Sequence, residues 1–341
     1  MAIALTAPAG LCRQSRNSSR PRVIPRFGRL TAHHHRGGQT YERRLAFDWL
    51  MSYPLAMFDR WWRPLARPDN PVTRFALEGL PELRFRLHPA GDPWVSGVIA
   101  RHEVFDPHIV SLLRAMLRSE DVLVDVGAHI GWFSVIGSKL AGHVVAMEPD
   151  PDNWRYLRAN LRLNGCENVT AYQVAAGQAD GHTRLYQSFE HRGDHQLSVV
   201  GDRKDYKDVR VRSVDDVLAE AGKRATWVKL DTQGSEAAIL RGMRRTLDSR
   251  PRLVLEFWPR GLQRCGASVD DLIGLLETID GEVWITHEDN SAERIDLATL
   301  AALGRSPPYD PASGAHADLV VVPSGDTRTG AYLAGLSRPV H

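Results

Sequence analysis

The sequence predicts an α/β protein built on a doubly wound, mostly parallel sheet. Three observations carry this reading. From Val122 onward, short β-rich apolar runs alternate with amphipathic helical stretches. The runs are nearly continuous in apolar residues, as strands covered on both faces must be. The first run ends in an acid and two closely spaced glycines, VLVDVGAHIGWFS (Val122 to Ser134), at the place where such sheets hold ligands. A chain of 341 residues with 43% hydrophobic content can bury a full core and carry an extension.

The predicted elements follow in chain order. Phe75, Leu77, Leu83, Phe85 and Leu87 alternate with polar residues, and this suggests a small antiparallel hairpin within Val72 to Leu87. Ile109, Leu112, Leu113, Met116 and Leu117 mark a helix from about Pro107 to Arg118. Strands are expected at Val122–Val126, Val144–Met147, Val169–Val174, Trp227–Leu230 and Leu253–Phe257. Between them, Pro151–Leu163 reads as a helix that stops at Asn164-Gly165, and Ser235–Leu247 as a second. Ser268 and Asp271 have capping-box spacing ahead of Leu272, Ile273, Leu276 and Ile279. Two last runs, Val283–Thr286 and Leu319–Val322, flank a loop-like stretch containing Pro and Gly, and they can close the sheet as an antiparallel pair.

Composition excludes several function classes. Net charge is only +2, and seven arginines precede the first acid, Glu42, so the remainder carries an acidic excess. The body is not a nucleic-acid binder by charge. Three cysteines without metal-ligand spacing point to reduced thiols in a cytoplasmic protein. No apolar run reaches the ~18–20 residues of a membrane span. Residues 1–40, rich in Arg, Ser, Pro and Gly, read as a disordered basic tail, and His33, His34 and His35 within it are not a metal site. The next segment places Trp49, Trp61 and Trp62 among basic residues; it reads as a broken helix packed on the domain, with peripheral membrane contact as the alternative.

What the turn at Val122–Ser134 holds is decided by its neighbours. Gly127 and Gly131 permit a tight turn and close backbone approach. Glu148, in AMEPD at the end of the second strand, can accept both hydroxyls of a ribose. A dinucleotide turn needs a middle glycine, but His129 stands there, and there is no P-loop lysine. A crowded turn with Asp125 beside it suits a cationic ligand without phosphates, and S-adenosylmethionine is one.

These residues also carry a family resemblance. VDVGAHIGWFS, MEPDPDNWRYLRANLRLNG, AYQVAAG, SVDDVL, WVKLDTQGSEAAILRGM, LVLEFWP and ADLVVVP, in that order, resemble the FkbM family of S-adenosylmethionine-dependent methyltransferases over residues 98–323. Where the family commonly has KIDVEG, this chain has KLDTQG, with Asp231, Gly234 and Glu236 kept. The resemblance implies a Rossmann-like seven-stranded class I methyltransferase sheet with an N-terminal extension. With the composition of its N-terminal part, the chain divides into a tail (1–40), a helical and hairpin extension (41–97), the methyltransferase domain (98–325) and a C-terminal tail (326–341). The resemblance also implies O-methylation of a hydroxyl on a sugar, glycan or polyketide-like molecule. Asp125, Gly127, Ala128, His129 and Gly131 would line the methionine end of the cofactor, Glu148 the ribose, and Val174 and Ala175 the adenine. Asp231 would face the methyl group.

An alcohol is a weak nucleophile at neutral pH, so a general base should assist. Asp231 is the first candidate, with orientation of the cofactor ammonium as its alternative role. His287, in WITHEDN, is the second candidate base. Glu256 can bind an acceptor hydroxyl or cap the sheet, Glu103 can reach the site or cap a helix, and no metal is expected. Gln187–Lys207 and Asp289–His316 are the candidate acceptor loops. Two other readings compete: a non-catalytic cofactor-binding module held at a membrane or partner, and a nicotinamide oxidoreductase.

Overall fold

The computed structural model describes residues 72–88, 92–101, 103–186, 206–309, 311 and 315–337, all within the compact unit 54–341. The expected basic tail, the tryptophan segment and most of Gln187–Lys207 lie outside the described residues. The described chain opens with an antiparallel hairpin, β1 (Thr73–Phe75) and β2 (Leu83–Phe85), followed by helices α1 (Val95–Ala100) and α2 (Pro107–Met116). The α/β alternation then begins: β3 (Val122–Val126), α3 (Trp132–Ser138), β4 (His143–Met147), α4 (Pro151–Leu163) and β5 (Val169–Tyr172). Next come β6 (Ala175–Ala176), β7 (Gly181–Tyr186), β8 (Tyr206–Arg212), α5 (Val214–Ala221) and β9 (Trp227–Leu230). The helices α6 (Glu236–Arg241) and α7 (Arg244–Asp248) lead to β10 (Arg252–Phe257), α8 (Pro259–Arg264), α9 (Val269–Leu276) and β11 (Gly281–Thr286). The last elements are β12 (Ala292–Ile295), α10 (Leu297–Leu303), β13 (Ala317–Pro323) and α11 (Thr327–Gly335).

All seven predicted strands join one sheet, in the order β12-β11-β13-β10-β9-β3-β4-β5. The strands β10, β9, β3, β4 and β5 are parallel, and β13 runs antiparallel between β10 and β11. This is the expected Rossmann-like α/β sheet, with β12 as an eighth strand at the edge. Successive side chains alternate between two cores. One core joins Val124, Val126, Met147 and Leu230 to Val217 of α5 and Leu272 of α9. The other joins Leu123, Val144, Trp227 and Val254 to Leu113 of α2 and Ile136 of α3.

Several elements differ from the sequence reading. The stretch between β11 and β13 is not a simple loop but contains β12 and α10. β12 buries only its end residues, Ala292 and Ile295, and exposes Glu293 and Arg294, so it has no apolar run. The helix expected over Ser235–Leu247 breaks at Gly242 and Met243. A side chain on Gly242 would collide with the Gly177 carbonyl, and Asp215 accepts hydrogen bonds from the Arg245 and Thr246 amides, which starts α7 afresh. α2 stops at Met116, because Leu117 is extended and Asp121 accepts from the Arg118 amide. The third strand ends at Tyr172, and the chain then enters a separate sheet of order β6-β8-β7. The final segment, expected as a tail, carries α11, whose Leu333 is buried.

The hairpin is built into the domain by side chains of α4. Asn160 accepts from the Arg86 amide at 2.6 Å and donates to the Arg86 carbonyl, and Asn164 does the same for Arg84. Two asparagines one helical turn apart thus act as a substitute strand along the free edge of β2. Phe75 and Phe85 pack on Trp132 at the start of α3, so the hairpin buttresses the glycine turn. Among the described residues, no helix is long and apolar enough to cross a membrane.

Candidate functional site

The residues singled out from the sequence gather at the carboxyl edge of the sheet, around β3. The turn after β3 is fixed by backbone hydrogen bonds: the Gly127 and Ala128 amides both donate to the Met147 carbonyl, at 3.0 and 3.1 Å. Gly127 has φ +80°, and a Cβ there would lie 2.0 Å from the carbonyl oxygen of Asp231. Gly131 has φ +90° and leaves room for Leu157 of α4, so both glycines are required by conformation and by space. His129, between them, is also left-handed, with φ 51°.

Glu148 is the other anchor of this turn. One carboxylate oxygen accepts from the His129 amide and the other from the Asp150 amide, each at 2.8 Å. Burial pushes its carboxyl up to about 8, against the hydrogen bonds that favour the charged form. Asn153 Nδ2 is a second, longer donor to Oε1 at 3.5 Å, so Oε2 is the oxygen that keeps a lone pair for a ribose hydroxyl. Asp150 caps α4 by accepting from the Asp152 and Asn153 amides.

Asp125 is fully buried. Its Oδ2 accepts from Ser134 Oγ at 2.6 Å, and its Oδ1 has no partner. Burial raises its carboxyl, and the ammonium of Lys229 opposes the rise. Lys229 lies beside Asp125 in the register of β3 and β9 and donates to Asp231 Oδ2 at 3.0 Å. Its Nζ also lies 4.5 Å from the centre of the Phe133 ring. Burial disfavours this ammonium, but Asp231, Asp125 and Asp106 together hold it firmly protonated.

Asp231 follows β9, and its side chain is partly exposed. Burial works to raise its carboxyl; the Lys229 ammonium and hydrogen bonds from Lys229 and Gln233 outweigh that and hold it below the usual range. Gln233 Nε2 lies 3.3 Å from Asp231 Oδ1 and 3.4 Å from Glu256 Oε1. Glu256 is buried, and its Oε2 has no partner. Burial, then repulsion from Asp231, Glu236 and Asp318, pushes its carboxyl well up. Asp318 of β13 accepts from His108 Nε2 at 2.7 Å, and Asp106, just before α2, is raised by burial and then by Asp318 and Asp231.

The structure brings Asp125, Gly127, Ala128, His129, Gly131, Glu148 and Asp231 to one edge. Val174 and Ala175 are buried where the chain passes from β5 to β6. His287 is not brought to Asp231: it begins the turn after β11, three strand spacings from β9 or roughly 14 Å. Glu103 is exposed and forms a two-pronged ion pair with Arg101. Sequence reasoning gave no role to Lys229, Gln233, His108, Asp106 or Asp318. A lysine inside a buried run, in WVKL, was the one available signal.

Among the described residues, His88, Asp92 and His129 group potential metal-ligand atoms within 4.8 Å of one another. A tetrahedral ion with ~2.1 Å bonds sets its ligands only about 3.4 Å apart. Asp92 already accepts from the Val95 and Ser96 amides at the start of α1, and His88 Nε2 bonds Asn153 Oδ1 at 2.8 Å. This cluster therefore ties the hairpin, α1 and α4 together as it stands.

The sequence of residues 125–279 matches the methyltransferase FkbM domain. Among relatives, the hexuronic acid methyltransferase AglP of Haloferax volcanii is 30% identical over 157 residues, which are 43% of this chain and 60% of AglP. The tRNA (guanine(37)-N(1))-methyltransferase of Drosophila melanogaster is 43% identical over 110 residues, 29% of this chain and 22% of that enzyme. The chain thus spans less than two thirds of either relative. The crystal structure of methyltransferase FkbM from Methylobacillus flagellatus aligns with 60% of this chain and 44% of its own, at 20% identity and a TM-score of 0.39. The FkbM domain thus begins at Asp125 and contains the glycine turn, Glu148, Lys229, Asp231 and Glu256, while His108 and Asp318 come from outside it.

Proposed function

We propose that this protein is an S-adenosylmethionine-dependent O-methyltransferase acting on a hydroxyl of a sugar, glycan or polyketide-like small molecule. The observation that carries the proposal is the meeting of the glycine turn with Glu148 on one side and the Lys229–Asp231 ion pair on the other. AglP, by its name, methylates a hexuronic acid, which supports a sugar acceptor.

The side chains fit the cofactor. Asp125 Oδ1, buried without a partner, suits a cationic group, and Glu148 Oε2 offers a lone pair to a ribose hydroxyl. Gly127, Ala128, His129 and Gly131 shape the methionine end, and Val174 and Ala175 an apolar wall by the adenine. The bound cofactor supplies an electrophilic methyl on its sulfonium. The chain itself orients the acceptor and excludes water. Asp231, kept ionised by Lys229, is a weak base but a strong hydrogen-bond acceptor, so its role is to orient the hydroxyl and face the cationic cofactor. Asp318, bonded to His108, is the carboxylate that can take the hydroxyl proton. We place the enzyme in the cytoplasm; neither Cys166 nor Cys265 forms a disulfide.

The test is methyl-labelled S-adenosylmethionine incubated with the protein and a panel of hydroxylated glycosides. Label should enter an acceptor with the wild type, and Asp231→Asn should still bind the cofactor while losing at least 100-fold in transfer. A protein that binds the cofactor and labels no hydroxyl would favour a binding module instead.

A further inference from the structure

Beyond the cofactor end lies a row of three carboxylates. Leu230 of β9 is level with Leu255 of β10, so Asp231 is level with Glu256, and Glu256 is level with Asp318 of β13. All three lie on the same face of the sheet as Lys229 and Val254. Neighbouring strands are about 4.8 Å apart, so the row presents acceptor oxygens at a spacing that one polyhydroxylated ring can bridge.

The row is built to receive donors. Glu256 is only 6% exposed, and its Oε2 has no protein partner. Gln233 holds its other oxygen, and the backbone behind that glutamine is locked, because a Cβ on Gly234 would lie 2.2 Å from the Gly261 backbone. Lys229, the buried cation at this edge, is committed to Asp231 and Asp125. Burial, and after it repulsion from the neighbouring carboxylates, drives Glu256 and Asp106 toward their neutral forms.

We infer that the Asp231–Glu256–Asp318 row is the acceptor subsite and that it admits an uncharged or amino-bearing polyol while rejecting an acceptor that carries a carboxylate. The inference rests on the methyltransferase reading and narrows it. A hydroxyl or ammonium gives Glu256 Oε2 the donor it lacks. A uronate carboxylate offers that oxygen no donor and adds an anion beside Asp231, which Lys229 holds ionised. The acceptor thus differs in charge from the hexuronic acid in the name of AglP.

The test ranks three probes by saturation-transfer NMR titration at pH 7.5: methyl β-D-glucopyranoside, its 2-amino-2-deoxy analogue and methyl β-D-glucuronide. The full-length protein is used with and without S-adenosylhomocysteine. Calorimetry checks loading of that ligand first, so a failure of the cofactor reading shows there, and the ranking of glycosides decides the charge rule separately. The neutral and amino glycosides should bind at least tenfold more tightly than the glucuronide. The double variant Glu256→Gln, Asp318→Asn should narrow the gap at least threefold, by strengthening the glucuronide, with far-ultraviolet circular dichroism confirming that the variant is folded. Equal or tighter binding of the glucuronide to the wild type, or binding of none of the three, would overturn the inference.

Discussion

A Cβ on Gly127 would lie 2.0 Å from the carbonyl oxygen of Asp231, so the turn after β3 and the turn after β9 touch through a single missing side chain. That contact sets the glycine turn beside the Lys229–Asp231 ion pair. Gly127→Ala must both strain a backbone at φ +80° and push the two turns apart. It should cost roughly 2 kcal/mol or more of stability, and abolish cofactor binding even where the protein stays folded. Urea unfolding and calorimetry read the two effects separately.

Glu148 sets a pH dependence. Its carboxyl is pushed up to about 8, so the protonated form is favoured in the folded, ligand-free protein. A ribose diol prefers the ionised form, so affinity for adenosine should rise as pH increases from 6 towards 8, by up to tenfold per unit, and then level off. Adenosine has no amino-acid end that titrates in this range. Glu148→Gln should bind weakly with no such slope. The group's effect on stability has the opposite sign: its contribution is complete below the unfolded value of 4.5 and is lost as pH rises through 8.

Lys229 neutralises two carboxylates at once. Lys229→Met leaves Asp125 and Asp231 without their counter-charge and should cost about 3–5 kcal/mol at pH 7. Asp231 lies below its ordinary range in the folded protein, so the stability it contributes is complete above the unfolded value near 3.9 and is lost as pH falls through the folded value. The difference between variant and wild type should therefore shrink as pH is lowered from about 4 towards 2. Thermal unfolding over that range checks it, and a constant difference would mean that Lys229 acts through packing alone.

Asn160 and Asn164 stand in for a strand beside β2. Asn160→Ala should expose the Arg86 amide and the Ile130 carbonyl that it serves, at a cost of about 1–3 kcal/mol. Hydrogen exchange should speed up first at Arg86 and along the hairpin, while β9 and β10 stay protected.

The strands of the sheet were legible because a parallel strand buried on both faces needs an unbroken apolar run, and Val122–Val126 and Trp227–Leu230 have one. The glycine turn and Glu148 were legible because they lie within one βα unit, where spacing reports on geometry. β12 was not, since its middle residues are charged and exposed. Nor was the acceptor row, for a different reason. His108 and Asp318 are 210 residues apart and meet only because β13 inserts between β10 and β11, which no local pattern announces. Lys229 was hidden by its neighbours: its hydrogen-bond partner Asp231 stands two residues on, but the second carboxylate that it faces, Asp125, lies on another strand. His287 follows Thr286, which is level with Asp318, so it stands on the strand beyond the row and not beside Asp231, an adjacency that the sequence does not show.

The most direct test of the whole account is calorimetric titration of the protein with S-adenosylmethionine, S-adenosylhomocysteine and NAD, repeated on Glu148→Ala. Micromolar binding of both sulfur ligands, lost in the variant and absent for NAD, is the expected result. Folded protein that binds neither sulfur ligand would contradict the account at its root.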